Sequence, residues 1–455
     1  MTTDLTVEQP RKTLWRFLLP MLLSVMFQQF YNIADSMIAG RFAGEDALAA
    51  VGASYPITVI FMAFATGSNL GASVIVSRLF GAKDFKRMKT AINTSFIACG
   101  TLGLALTLYG IVFCAPMMRW IRTPDNVFSD GALYLRIYTY GLIFLILYNV
   151  CTGIFTAFGD SKTPLYFLIG SSVGNIILDI WFVAYFHMGV AGVAWATFLA
   201  QGVSSILAVT TLFHRLKGMV PTGRYVKPAL FDFLLFRQTA AIAVPSILQQ
   251  SVISVGNLFI QIIVNHYGSA TIAGYSAAIK LNTFAITAFM SLGSCLSSYT
   301  AQNLGAGKGE RIRAGFSTGV RLSLMASLPF VGLYFLFSRQ MMGLFLDSGS
   351  TEAIQAGVMF LKIVSPFYLM ISIKLMADGI LRGSGAMIYF VIATIPDLII
   401  RIVFAFLLSP RFGSTGIWMA WPFGWAAATA LTMIFYRKIV SQYPKQEKVS
   451  PDSAI

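Results

Sequence analysis

The sequence predicts an all-α integral membrane protein with twelve transmembrane helices, arranged as two parallel-repeat six-helix lobes around a central cavity. Three observations lead to this prediction: few charges, twelve long apolar segments, and motifs that recur at a constant offset. Of the 455 residues, 56% are hydrophobic and 11% are charged, and the mean hydropathy is +0.73. Because soluble domains carry about 25% charged residues, most of this chain is expected to face lipid or the interior of a bundle within lipid.

Twelve apolar segments each reach the roughly 20 residues that a spanning helix needs. Their interiors lack the regular polar and apolar alternation of membrane barrel strands, so helices are predicted. The segments begin near Trp15, Gly52, Ala91, Ala132, Pro164, Val190, Gln238, Ile272, Phe316, Ile354, Met387 and Gly416.

Basic residues are distributed unevenly between the predicted loops. With the N-terminus placed in the cytoplasm, about 23 of the 33 Lys and Arg fall on the cytoplasmic side. The residues on the other side include Arg41, Arg119, Arg122, Arg339 and Arg411. This asymmetry predicts a multi-pass membrane protein with both termini in the cytoplasm. It also accounts for the net charge of +15 without nucleic acid as a partner.

The two halves of the chain repeat each other's motifs. "FGAKDFKR" matches "LGAGKGER", and "FGDSK" matches "RGSGA". Four glycine pairs are each separated by 224 residues: Gly44 and Gly268, Gly81 and Gly305, Gly159 and Gly383, Gly192 and Gly416. Six spans per half is an even number, so the repeats are parallel, related by an axis along the membrane normal. This pattern is typical of transporters that work by alternating access.

The repeat and the loops divide the chain into four predicted parts. Residues 1–214 form the N-lobe, residues 215–237 a basic cytoplasmic linker, residues 238–437 the C-lobe, and residues 438–455 a cytoplasmic tail. Four cysteines stand singly in apolar segments, which predicts neither disulfides nor a metal cluster. The three histidines form no metal-binding or nucleophilic spacing, so an enzyme is not predicted and no cofactor is expected.

Ionisable residues inside predicted spans are costly, so each is interpreted as functional unless a partner neutralises it. Asp35 and Asp179 have no base nearby in the sequence, whereas Asp397 and Arg401 lie one turn apart and predict a neutralising pair. The remaining polar candidates predict a C-lobe cavity lined by Gln249, Gln250, Lys280, Lys374, Asp378, Asp397 and Arg401.

Asp35 and Asp179 supply the two carboxylates of the predicted N-lobe site. Asp179 follows Asn175 by one turn in "SVGNIILD", and the next span offers Thr197. Carboxylate, amide and hydroxyl oxygens suit a hard monovalent cation, and carboxylates in a dry membrane site also carry protons. The other interpretation is a hydrogen-bonded carboxyl network that only holds the helices together.

On these motifs the chain resembles the multidrug and toxic compound extrusion (MATE) family, in particular its bacterial DinF/MepA-like branch. The first-helix pattern "PMLLSVMFQQFYNIADSMIAG" carries the resemblance most specifically, through Pro20, Gln28, Tyr31, Asn32 and Asp35. The resemblance implies a Na⁺ or proton site formed by Asp35, Asn175, Asp179 and Thr197, and a helix that bends at Pro20. Some branches place an acid in the seventh span, but "PSILQQSVISVGNLFIQIIVN" has none, so a C-lobe cation site of that kind is not expected.

The resemblance implies a H⁺- or Na⁺-coupled antiporter that exports bulky organic, often cationic drugs across the bacterial cytoplasmic (inner) membrane. Its expected partners are small drug-like molecules and the lipid bilayer, and it is expected to act as a monomer. The alternative is a flippase of the same superfamily for lipid-linked oligosaccharides or other amphiphiles. Lys280, Lys374 and Arg401 keep this alternative open, since a flippase needs bases for phosphates.

Overall fold

The computed structural model describes residues 4–38, 45–219, 227–347 and 349–444. The side chains of residues 33–38, 45–48 and 126 are outside this description. Over the described ranges the chain is helical and forms no strand.

The described part of the first half folds into seven helices. They are α1 Pro10–Ile38, α2 Glu45–Gly81, α3 Phe85–Trp120, α4 Asp125–Tyr140, α5 Leu142–Ala157, α6 Lys162–Asp179 and α7 Gly189–Gly218. The end of α6 passes directly into a π-helical turn, Ile180–Tyr185.

The described part of the second half folds into eight helices. They are α8 Phe233–Asn265, α9 Gly268–Gly305, α10 Arg311–Leu336, α11 Ser338–Gly343, α12 Thr351–Val364, α13 Tyr368–Gly383, α14 Met387–Phe412 and α15 Ser414–Val440. A 3₁₀ turn, Ser365–Phe367, joins α12 to α13.

Within the described residues, these helices provide counterparts for eleven of the twelve predicted spans. Ten spans within the described residues are long and apolar enough to cross a membrane, and α12 and α13 together form one of them. The pair α4 and α5 forms an eleventh, bent by 49°. Helix α1 occupies the place of the first predicted span, and its 29 residues exceed the roughly 20 that a span needs. The predicted all-α membrane fold is confirmed.

The sequence repeat also relates the helices. The ends of α2 and α9 are Gly81 and Gly305, 224 residues apart. The pairs α5 with α13 and α7 with α15 begin and end within two residues of the same offset. Each helix of the first half therefore has an equivalent at a known position in the second half, and any pair of equivalent side chains can be compared.

The chain forms two compact units. The described residues of the first lie within Leu19–Phe80 and Asp84–Leu258, and those of the second within Asp4–Leu18, Gly81–Lys83 and the part of the chain from Phe259 onwards. Helix α1 contributes to both units and passes from one to the other just before Pro20. Helix α8 also contributes to both.

Each unit has its own buried core. In the first unit, Ile57 and Phe61 of α2 pack with Met118 of α3 and Leu135 of α4. In the second unit, an aromatic cluster joins α9, α12 and α15, with its ring centroids 5.1–5.8 Å apart: Tyr275, Phe360, Trp418, Trp421 and Trp425. The four cysteines are buried thiols.

Candidate coupling site

Tyr31 and Asn175 bring α1 and α6 together in the first unit. The Tyr31 hydroxyl and the Asn175 side-chain amide are hydrogen-bonded. The other neighbours of the Asn175 amide determine its orientation. With its nitrogen directed towards Tyr31, the amide also donates to Asp179 Oδ2 at 3.3 Å, and its oxygen accepts from the backbone N–H of Thr197 at 3.2 Å. One amide thus connects a tyrosine, a carboxylate and a third helix.

Asp179 is the last residue of α6 and is 1% exposed. The helix changes from α to π geometry immediately after it. Turns of π-helix are rare in proteins, and those that do occur are frequently found at functional sites. The Asp179 carboxylate is therefore buried at the residue where the helix changes from α to π geometry, and the sequence pattern did not predict this change.

Thr197 of α7 faces the same group of residues. Its hydroxyl donates to the Val193 carbonyl at 3.0 Å, so the oxygen keeps acceptor capacity for a ligand. Asp35 lies four residues after Tyr31 in α1, but its side chain is outside the described part of the structure. Three of the four predicted site residues are thus placed together, and the fourth is placed by its backbone alone.

A cavity of about 90 Å³ lies beside this group. Eight of the ten residues that line it are polar: Gln28, Tyr31, Tyr148, Ser171, Ser172, Asn175, Thr197 and Gln201, with Leu168 and Ala200. A space of this size has room for small hydrated ions or water. Sequence reasoning missed Ser172 and Gln201, although each lies one turn from a predicted site residue, Asn175 and Thr197 respectively.

The first helix carries the other predicted residues. Pro20 is buried, and Ser24 donates to its carbonyl at 2.9 Å. Gln28 donates to the side chain of Asn32 at 3.2 Å, one turn further along, and Asn32 is exposed. Because proline lacks the N–H that would bond the preceding turn, α1 lacks one backbone hydrogen bond at Pro20, next to the residue at which the helix changes from one unit to the other.

A second, larger cavity lies next to the polar one. It measures about 290 Å³ and shares Ser171 and Ala200 with its neighbour. Most of its other lining is apolar and comes from α6 and α7: Tyr166, Phe167, Gly170, Gly174, Leu178, Leu199, Val203 and Leu207, together with Ser204. A polar cavity and a largely apolar cavity therefore adjoin in the first unit.

The seven residues predicted for a C-lobe cavity are divided between the two units. Gln249 and Gln250 belong to the part of α8 in the first unit, whereas the other five belong to the second unit. Lys280 is exposed on α9. Lys374 and Asp378 form a buried ion pair within α13, with Lys374 Nζ 2.8 Å from Asp378 Oδ2.

Asp397 and Arg401 lie one turn apart in α14. Arg401 NH2 is 3.9 Å from Asp397 Oδ2, and the guanidinium lies over the Trp421 ring at 4.3 Å from its centroid. The aromatic cluster of the second unit thus covers this arginine. Within the described residues, no group of three His, Cys, Asp or Glu side chains is placed to hold a metal ion.

An all-helical chain with two repeated sets of spans and a buried carboxylate beside a polar cavity defines the class of polytopic membrane transporters. A family model described as MatE matches residues 20–181 and matches again at residues 245–407. The chain therefore belongs to the MatE family, the multidrug and toxic compound extrusion transporters. This is a family of transporters, which is not a class of enzyme. The two matches are the two repeats.

Relatives cover nearly the whole chain. A Bacillus subtilis protein described as probable multidrug resistance protein YoeA is 28% identical over 444 residues, 95% of each chain. The multidrug export protein MepA of Staphylococcus aureus is 24% identical over 409 residues, 89% of each chain. The solved structure of a MOP superfamily transporter from Pyrococcus furiosus is 23% identical, covers 98% of this chain and 100% of its own, and has a TM-score of 0.90.

Proposed function

We propose that this protein is a cation-coupled antiporter that exports bulky organic, often cationic drugs from the bacterial cytoplasm by alternating access. The observation that carries the proposal is the buried carboxylate of Asp179, hydrogen-bonded through Asn175 to Tyr31 of the first helix. A carboxylate in this position changes its bonding when a cation or proton arrives. Asn175 passes that change to α1.

The coupling chemistry follows from the oxygen atoms of the site. A carboxylate, an amide oxygen and a hydroxyl are hard donors that suit Na⁺, and the same carboxylate accepts a proton. Asp35, Asn175, Asp179 and Thr197 are proposed to hold the ion. Pro20 provides the weak point at which α1 bends in response.

The substrate class is supported by the paired cavities of the first unit. The apolar cavity of about 290 Å³ is close to the lower limit of ordinary ligand pockets, about 300 Å³. The adjoining polar cavity would take the charged group of an organic cation. Export then results because substrate and coupling ion favour different arrangements of the protein. The names of the two bacterial relatives, one a probable multidrug resistance protein and the other a multidrug export protein, agree with this substrate class.

We also propose a membrane location and an oligomeric state for the protein. The protein is proposed to lie in the cytoplasmic membrane with both termini inside, on the positive-inside asymmetry of its loops. It is proposed to act as a monomer, with small molecules and the lipid bilayer as its partners, no nucleic acid, and no cofactor beyond the coupling ion.

The side chains of the second unit disfavour the flippase alternative. A flippase needs accessible bases to bind phosphates, but Lys374 and Arg401 are both buried and lie next to the acids Asp378 and Asp397. Only Lys280 of the three candidate bases is exposed.

The test is dye transport by purified protein in liposomes, with sodium and pH gradients imposed separately. The variant is Asp179→Asn, and the matched control is Asp125→Asn, an exposed acid at the start of α4. We expect one of the two gradients to drive transport of an ethidium-like cation by the wild type. Asp179→Asn should transport it at least about tenfold more slowly, corresponding to about 1.4 kcal/mol. Asp125→Asn should retain the wild-type rate. Normal coupled transport by Asp179→Asn would overturn the proposal.

A further inference from the structure

A row of charged side chains is buried inside the second unit. Lys374, Asp378 and Arg382 follow one another at four-residue intervals on one face of α13 and are 4%, 1% and 8% exposed. The Arg382 guanidinium lies over the Phe390 ring, 5.5 Å from its centroid. Among the described residues, the ion-pair partner of Asp378 is Lys374.

The Asp378 carboxylate has the surroundings of a small cation site. One oxygen, Oδ2, lies 2.8 Å from Lys374 Nζ. The other, Oδ1, accepts a hydrogen bond from the Thr432 hydroxyl of α15 at 3.3 Å. Carboxylate and hydroxyl oxygens are the donors that alkali cations prefer. In this site the ammonium group of Lys374 is in direct contact with the carboxylate, and the Arg382 guanidinium, one turn further along α13, interacts with it electrostatically.

The sequence repeat shows that the fold does not need these polar groups. At the offset of 224 residues, Lys374, Asp378, Arg382 and Thr432 correspond to Val150, Ile154, Phe158 and Ala208. All four of these apolar residues are 0% exposed in the equivalent helices of the first unit. The same helix positions are thus filled by ordinary apolar packing in one half and by an ion pair in the other.

An ion pair in this position requires a functional explanation. Taking two charges out of water costs about as much as their attraction returns, so an apolar replacement of similar size is often neutral or stabilising. The first unit demonstrates that replacement. Ionisable groups that remain inside membrane helices despite their cost generally belong to an ion or substrate pathway.

We propose that the Lys374 ammonium is a tethered resident cation of Asp378, held in the place that a diffusible coupling cation would otherwise take. This rests on cation coupling as the proposed function of the protein. The second unit then keeps its carboxylate neutralised throughout the transport cycle, and the number of coupled ions is set by the Asp179 site of the first unit alone. Removing the tether should convert Asp378 into a site for a diffusible monovalent cation.

The experiment measures the Tm of purified protein at constant ionic strength in three chloride salts: methylammonium, sodium and N-methylglucamine. The last cation is too bulky for the space of a lysine head group. The variant is Lys374→Ala, which removes the amine and leaves Asp378. The matched control is Lys374→Ala/Asp378→Asn, which lacks the carboxylate as well. The readout involves no transport, so failure here is distinct from failure of the proposed function.

The expected result is a cation effect confined to one variant. Methylammonium or sodium should raise the Tm of Lys374→Ala by about 2 °C or more over N-methylglucamine, since a bound ligand stabilises the folded state. Wild type and the double variant should show less than half of that shift. No difference among the three salts for Lys374→Ala overturns the proposal, as does an equal shift in the double variant.

Poor folding of Lys374→Ala also decides the question. Recovery of monodisperse protein only when methylammonium or sodium is present during purification supports the tethered cation. Recovery in none of the salts, whether or not the double variant folds, overturns it, because a diffusible cation then does not replace the ammonium.

Discussion

The hydroxyl of Tyr31 and the side-chain amide of Asn175 are hydrogen-bonded although 144 residues separate them in the chain. The same amide bonds to Asp179, so the first spanning helix is connected to the buried carboxylate through a single side chain. Two hydrogen bonds, from Asp179 to Asn175 and from Asn175 to Tyr31, therefore connect the carboxylate to α1. Helix α1 contributes to both compact units and contains Pro20, so in the proposed mechanism it is the helix that responds to a bound ion.

Replacing Tyr31 by Phe should reduce ion-coupled transport. The substitution removes one hydroxyl from the path between Asp179 and α1 and leaves the ring. Loss of a hydrogen bond of about 1 kcal/mol predicts a roughly five- to tenfold lower rate of gradient-driven dye transport in liposomes. Tyr55→Phe, at an exposed tyrosine of α2, is the control and should retain the wild-type rate. Equal rates for the two variants would show that the Tyr31 hydroxyl plays no part in coupling.

Replacing Ser172 by Ala should weaken binding of the coupling ion without weakening the fold. The Ser172 hydroxyl is buried, lines the polar cavity, and has no hydrogen-bond partner among the described protein atoms. It is therefore available to an ion or its water. We expect the ion concentration at half-maximal transport to rise about five- to tenfold, the effect of about 1 kcal/mol, and the Tm to stay unchanged.

The control for Ser172 is Ser246→Ala. Ser246 is also buried, but its hydroxyl donates to the Ile242 carbonyl at 2.7 Å and it lies outside the polar cavity. This variant should leave the half-maximal ion concentration as it is in the wild type. An unchanged ion dependence in Ser172→Ala would contradict a role of its hydroxyl in ion binding.

Most of the fold was predictable because a membrane imposes two simple rules. Spans must be long and apolar, and Lys and Arg favour the cytoplasmic loops. The helices begin close to the residues predicted for the twelve spans, and the 224-residue offset relates their ends. The 49° bend at Gly141 between α4 and α5 was not predicted. Glycine is common in membrane helices, so its presence does not distinguish a bend from a packing contact.

The site was predictable only in part, for a different reason. Asn175 and Asp179 share a helix face, and spacing of one turn can be read in a sequence. Contacts between different helices cannot be derived from residue spacing. The hydrogen bonds from Asn175 to Tyr31 and to the backbone of Thr197 are therefore visible only in the structure. The π turn after Asp179 lies in "IWFVAY", whose residues resemble those of any apolar span.

Leu5 should anchor the segment that precedes α1. This side chain is 0% exposed, its backbone N–H donates to Gln302 Oε1 at 3.0 Å, and its carbonyl accepts from Asn303 Nδ2 at 3.3 Å. Both partners lie at the end of α9, in the same unit. Leu5→Ala should destabilise this docking by about 2 kcal/mol or more. Trypsin cleavage at Arg11 or Lys12 should then accelerate more than about tenfold.

The control for Leu5 is Val7→Ala. Val7 is 66% exposed and two residues away, so its truncation changes the same segment without removing a buried side chain. Its cleavage rate should match that of the wild type. If both variants are cleaved at the wild-type rate, the docking of the segment does not depend on the Leu5 side chain.

Asp160 holds the turn between α5 and α6, in the repeated motif "FGDSK". Its carboxylate accepts the backbone N–H groups of Lys162 and Thr163, each at 3.1 Å, and the Thr163 hydroxyl at 2.7 Å. It also forms an ion pair with Arg215 near the end of α7. Gly159 supports the turn with a φ of +69°, which a residue with a side chain adopts at a cost. The carboxylate thus joins three helices at one end of the first unit.

Asp160→Asn should destabilise the protein at neutral pH, and this effect should vanish in acid. Burial by itself raises the carboxyl pKa, but the hydrogen bonds from Thr163 and Arg215 outweigh it and hold the pKa of Asp160 below its ordinary value. A carboxylate with a lowered pKa stabilises the folded state above its ordinary pKa of about 3.9, and this contribution is lost as the pH falls through the lower folded value. We therefore expect Asp160→Asn to cost about 1–3 kcal/mol at pH 7.

The measurement is the Tm of wild type and Asp160→Asn from pH 7 down to about pH 3, which brackets the ordinary carboxyl pKa. The difference in Tm should stay constant from pH 7 to about pH 5 and shrink below about pH 4, because the wild-type carboxylate then becomes protonated. The exposed Asp125→Asn should show no such difference at any pH, since it breaks no buried network. A Tm difference that persists or widens on acidification would show that Asp160 stabilises the turn without its charge, and that the ion pair with Arg215 contributes nothing.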